Sequence, residues 1–163
     1  MMTRRFDAPG PAAPTRTPSQ KLGTDRPRAN TFTAFGLASE AEQLSPGLHI
    51  VATPIGNLRD ITIRALATLA AADAVLAEDT RVTRTLLAHY GITTPLLAHH
   101  EHSNDAVRER MVTRLKAGEA LALVSDAGTP LVSDPGYKLV QAAIEASIPI
   151  TPCLLYTSPS PRD

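Results

Sequence analysis

Tryptophan is absent from these 163 residues, and cysteine occurs once, at Cys153. A lone cysteine excludes an internal disulfide framework and a cysteine metal cluster. Aromatic residues are scarce, three Phe and three Tyr. That scarcity argues against a base-stacking surface of the single-strand-binding kind. An excess of one charge is missing too, since 16 Lys and Arg balance 16 Asp and Glu. Bulk charge therefore gives no argument for nucleic acid or an acidic partner. No apolar run approaches the ~20 residues of a membrane span. A soluble, cytoplasmic protein with no membrane partner is the expectation.

Known phosphate-binding fingerprints are missing as well. No G-x-G-x-x-G follows the first apolar run, and there is no G-x-x-x-x-G-K-[ST]. Nothing resembles a nucleophile elbow.

The two ends differ from the middle. Residues 1–46 are rich in Pro, Thr, Arg and Gly, and Pro9, Pro11, Pro14, Pro18 and Pro27 interrupt any helix. Six basic groups (Arg4, Arg5, Arg16, Lys21, Arg26, Arg28) face two acids, Asp7 and Asp25, in the first 35 residues. Such a segment buries too little to offset ordering entropy, and disorder is expected through residue 46. A transit peptide, a basic tail that touches RNA and an inert extension are its three readings. The other end reads Cys153-Leu154-Leu155-Tyr156-Thr157-Ser158-Pro159-Ser160-Pro161-Arg162-Asp163. It has no helical period, and residues 153–163 are expected to be a non-native tail.

Between them, short apolar strands alternate with helical patterns. Strands are expected at Leu48–Ala52, Ala74–Ala77, Pro95–His99, Ala120–Val124 and from Pro149 to Thr151. Helices are expected after Asp60 as N-cap, from Val82 to Tyr90, from Asp105 to Ala117, and after Asp134 with Pro135 at its first position. Gly91 and Gly118 terminate the second and third helices. Ser147 stands where a terminating glycine is usual. This alternation predicts an α/β fold: an open, mainly parallel sheet with helices on both faces, over residues 47–152.

In such a sheet the loops after the strands converge on one edge, where ligands bind. They read Thr53-Pro54-Ile55-Gly56-Asn57-Leu58, then Glu78-Asp79-Thr80-Arg81, then His100-Glu101-His102-Ser103-Asn104. The fourth runs Ser125-Asp126-Ala127-Gly128-Thr129-Pro130-Leu131-Val132-Ser133-Asp134-Pro135-Gly136. Glu78 and Asp79 are either an acid/base pair, or Asp79 or Thr80 caps the second helix and Glu78 pairs with an arginine. Arg81 and Arg84 either grip a phosphate or lie on a solvated helix face. His100 and His102 suggest a metal, but no further Cys or His ligand is evident and none is expected. Gly128 and Gly136 could simply make turns, but turns alone do not require Asp126, Thr129 and Ser133. A polar-ligand site is the reading for that loop.

These four motifs, in this order and spacing, closely resemble the ribosomal RNA small-subunit methyltransferase I family of the tetrapyrrole-methylase superfamily. The resemblance covers about residues 47–152. It implies the N-terminal half of a two-domain fold, with S-adenosylmethionine in the cleft between domains. It implies methyl transfer to a ribose 2′-hydroxyl of a cytidine in small-subunit ribosomal RNA. Thr53, Pro54 and Gly56, with Asp126, Ala127, Gly128, Thr129 and Pro130, match the loops that meet the cofactor. Glu78, Asp79, Arg81, His100 and Glu101 match motifs with unassigned roles. Glu78 or Asp79 is the expected base, Arg81 the catalytic or phosphate-binding cation, and His100 and Glu101 substrate contacts. A homodimer of the full-length protein is a further expectation. The family's second domain is absent from this sequence, so the chain alone is expected to be inactive. A small-molecule methyltransferase on the same fold is the alternative.

Overall fold

The computed structural model describes residues 30–100, 105–131 and 136–154. A two-stranded hairpin, β1 (Thr31–Ala34) and β2 (Leu37–Glu40), precedes the sheet. The sheet strands are β3 (Gly47–Val51), β4 (Ala74–Ala77), β5 (Leu96–Ala98), β6 (Ala120–Leu123) and β7 (Ile150–Cys153). They lie in the order β5-β4-β6-β3-β7, and every pairing is parallel. The helices are α1 (Ile63–Ala71), α2 (Thr80–His89), α3 (Asp105–Lys116) and α4 (Gly136–Glu145). The expected strand–helix alternation is therefore present.

Side chains alternate across a strand, so each strand feeds two cores. Val51, Val75, Ala77, Ala122 and Val124 pack with α1, α2 and the hairpin. Leu48, Ile50, Leu76, Leu121 and Leu123 pack with α3 and α4. Cover on both faces explains why the strands read as unbroken apolar runs. Leu66 and Leu69 of α1 are fully buried, each stabilising by about 1.5–3 kcal/mol over exposure.

The structure departs from the sequence reading at four places. Residues 31–40 are ordered, although disorder was expected through residue 46. Phe32 of the hairpin inserts into the first core, and the Thr33 amide donates to the Tyr90 carbonyl at 2.7 Å. One buried ring and a ladder hold a segment whose composition gives little sign of it. Secondly, Asp60 does not cap α1. The Asn57 side chain starts a separate 3₁₀ turn, Leu58–Asp60, and Thr62 caps α1 by accepting from the Ala65 amide at 3.0 Å.

Thirdly, α2 begins at Thr80 with Asp79 as cap, not at Val82. Finally, the last strand runs on through Cys153, which was set apart from the fold with the tail. Cys153 pairs with Val51, its carbonyl accepts from the Ala52 amide at 2.9 Å, and it is buried. The expected Asp134–Pro135 start of α4 lies outside the described residues.

Three helices end in one motif. After α2, the Gly91 and Ile92 amides donate to the Ala88 and Leu87 carbonyls; after α3, Gly118 and Glu119 donate to Leu115 and Arg114. After α4, Ser147 and Ile148 donate to Ile144 and Ala143. This double bond pattern requires a left-handed residue. Ser147 takes that conformation, with φ 56°, where the other two helices have glycine.

Candidate functional site

The strand order creates a crevice. The loop leaving β4 runs to α2 on one face, and the loop leaving neighbouring β6 runs to α4 on the other. Adjacent strands whose connections part this way leave a gap at their carboxyl ends, where open sheets bind ligands. An open cleft of about 530 Å³ lies there, lined by Glu78, Asp79, Thr80, Arg81, Ala98, His100 and Asp126. Five of these were expected site residues: Glu78, Asp79, Arg81, His100 and Asp126. Thr80 and Ala98 were not. Thr80 enters because α2 starts two residues earlier than its apolar pattern indicates. Glu101 lies outside the described residues.

Asp79 is the most constrained group. Its carboxylate caps α2 by accepting from the Arg81 amide at 2.8 Å. It also accepts Arg81 Nε at 3.1 Å and Nη2 at 2.8 Å. This bidentate grip holds the Asp79 carboxyl down at about 2. Raising of the Arg81 guanidinium is the reciprocal effect. Asp126 shifts the other way. Partial withdrawal from water, then the nearby Asp79 charge, raise its carboxyl above the ordinary range. The two neighbouring carboxyls are thus shifted in opposite directions.

The remaining expected cofactor residues are not on the lining of this cleft. The Thr53 amide donates to the Gly128 carbonyl at 2.8 Å. The Thr53 hydroxyl donates to the Ser125 carbonyl at 3.3 Å. Ser125 Oγ accepts from the Ala127 amide at 3.2 Å and turns the loop. Gly128 has φ 90°, and a Cβ there would stand 2.5 Å from Ile55 Cγ2. Thr53 and Gly128 thus lock the loop after β3 onto the loop after β6. Pro54 and Thr129 are half-buried, Pro130 is buried and Ala127 is exposed. Gly56 has open space around it, so packing does not demand a glycine there.

Comparisons with known proteins agree with this architecture. Residues 47–152 match the family described as Tetrapyrrole (Corrin/Porphyrin) Methylases. A Xylella fastidiosa protein named Ribosomal RNA small subunit methyltransferase I is 62% identical over 109 residues, covering 66% of this chain and 40% of the relative. A Mesorhizobium japonicum protein of that name is 56% identical over 112 residues, covering 69% and 38%. The chain thus spans about two fifths of the length of these curated relatives. Among solved structures, uroporphyrin-III-C-methyltransferase from Thermus thermophilus superposes with a TM-score of 0.52 at 21% identity. That alignment covers 66% of this chain and 47% of the other, and it supports the fold alone.

Proposed function

From the premise that this chain belongs to the tetrapyrrole methylase family, we propose that it is one wall of an S-adenosylmethionine-dependent RNA methyltransferase. Its substrate on this reading is a cytidine ribose 2′-hydroxyl of small-subunit ribosomal RNA. Relatives carrying that enzyme name support the choice of RNA. The observation that carries the reading is the cleft at the parting of the β4 and β6 loops, where Glu78, Asp79 and Asp126 surround one opening. A cluster of carboxylates suits a sulfonium cofactor, which is a cation with an ammonium and two ribose hydroxyls to be recognised. When bound, S-adenosylmethionine supplies an electrophilic methyl group.

The chain's own residues then have distinct tasks. Asp126 accepts hydrogen bonds from the ligand, and its raised proton affinity suits it to take a hydroxyl proton. Glu78 is the second candidate for that proton. Asp79, tied to Arg81 at both oxygens, is a poor base and instead positions the guanidinium. Arg81, 86% exposed at its side chain, remains free on its outer side to meet an RNA phosphate. Methyl transfer to a weak nucleophile depends chiefly on alignment and water exclusion. A chain covering two fifths of its relatives provides part of that enclosure.

The test is calorimetric titration of S-adenosylmethionine into a protein with this domain at the full length of its relatives. Asp126→Ala is expected to weaken binding about tenfold, as loss of a hydrogen bond from a charged partner does. Thr129→Val is expected to weaken it about threefold. Unchanged affinity in both variants would place the cofactor elsewhere.

A further inference from the structure

We propose that the tip of the β1–β2 hairpin, with Arg59 and His89 beside it, is a docking point for unpaired RNA flanking the modified nucleotide. The inference rests on the RNA-methyltransferase reading above. The hairpin precedes the family match, which begins at residue 47, whereas Arg59 and His89 lie within it.

The hairpin closes through two residues, Phe35 and Gly36, because Ala34 pairs with Leu37. Both have positive φ, 54° and 74°. A turn of this kind favours Asn, Asp or Gly at its first position. Phe35 instead holds a bulky ring in a strained backbone, 93% exposed. The hairpin's anchorage comes from Phe32, so folding gains little from the Phe35 ring. A strained, exposed aromatic with no packing role points to a ligand.

Its surroundings name the ligand. A cavity of about 300 Å³ lies beside the ring, flanked by Arg59 and His89 and floored by Ile61, Leu66 and Tyr90. Arg59 makes no ion pair among the described residues. Helix α2 carries Arg81, Arg84 and His89 and no acid; Asp60 is the carboxylate on Arg59's own turn. An exposed ring with the Arg59 guanidinium on the cavity beside it suits bases that are free to stack and a phosphate chain beside them. Paired RNA offers no free base face, so an unpaired segment is the occupant. Helix α2 joins the two places. Thr80 and Arg81 at its start line the methyl-transfer cleft, and His89 at its end lines the cavity under Phe35. Ten residues of helix span about 15 Å, so one short RNA segment reaches both. Overall aromatic scarcity and zero net charge hide this patch, because it is a local arrangement of one ring and one arginine.

Fluorescence anisotropy with a short unpaired oligoribonucleotide and the matching duplex tests the proposal on the 163-residue chain. Phe35→Asn makes an Asn-Gly turn, so it relieves strain while removing the ring. It is expected to raise the melting temperature and to weaken binding of the unpaired RNA about tenfold. Arg59→Gln is expected to weaken binding and flatten its salt dependence. Equal affinity of Phe35→Asn and the parent overturns the proposal, as does an absence of RNA binding by the parent or a preference for the duplex. A parent dimer that Phe35→Asn disperses, seen by sedimentation, also overturns it and assigns the tip to a second copy. S-adenosylmethionine titration at the cleft does not involve Phe35. Retained cofactor binding without RNA docking at the tip would therefore sink this inference alone.

Discussion

The Thr53 amide donates to the Gly128 carbonyl at 2.8 Å, and with the Thr53 hydroxyl's bond to the Ser125 carbonyl it fastens together the two loops that carry most of the expected cofactor residues. The contact is tight because Gly128 has no side chain. A Cβ would meet Ile55 Cγ2 at 2.5 Å and the Thr53 carbonyl oxygen at 3.2 Å. Gly128→Ala is therefore expected to destabilise the domain by about 1–3 kcal/mol, through overpacking and a left-handed alanine. Urea unfolding measures this. A loss below the error of that measurement would mean that the loops do not depend on each other.

The Asp79–Arg81 pair makes a pH prediction. Asp79 has its carboxyl lowered from 3.8 to about 2. A depressed carboxyl stabilises the fold fully above its unfolded value and loses that contribution as pH falls through its folded value. The window is thus from about pH 4 down to about pH 2. The pair is exposed, so salt is expected to weaken the effect. Arg81→Leu should return Asp79 towards the ordinary carboxylate range in a carboxyl-carbon NMR titration. An unchanged titration in that variant would show that Arg81 does not hold the carboxylate.

Ser147 offers a stabilising change. It occupies the left-handed position that ends α4, with φ 56°, in the bond pattern that Gly91 and Gly118 complete elsewhere. Ser147→Gly removes the Cβ strain and is expected to stabilise by about 1 kcal/mol. Thermal unfolding reads this directly, and a lower melting temperature would contradict it.

These residues also mark what was legible in the sequence. Strand–helix alternation is a periodic signal, so five strands and their cover followed from it. Ligand loops at strand ends followed from topology, which is why Glu78, Asp79, His100 and Asp126 meet. Asp79 as a helix cap belonged to one of two readings and is what the backbone shows, but the arginine expected on Glu78 is held by Asp79 instead. The hairpin escaped because a four-residue strand anchored by one ring, Phe32, leaves no period in a proline-rich head. Thr62 was missed as the α1 cap because Asp60, two residues earlier, is an equally good capping type. The Arg59 and Asp60 amides donate to the Asn57 side chain and carbonyl, which closes that turn before the helix capped by Thr62 starts. Cys153 was set aside with a tail of odd composition, although the Val51 pairing carries the strand through it.

The most direct measurement grafts residues 47–152 onto the remainder of the Xylella fastidiosa relative and follows labelled methyl from S-adenosylmethionine into small ribosomal subunits. Nuclease digestion and mass spectrometry then identify the methylated nucleoside. The account expects a 2′-O-methylcytidine that is lost in Asp126→Ala while the fold persists. A folded chimaera that leaves the RNA unmethylated, or that methylates a tetrapyrrole in its place, would contradict it.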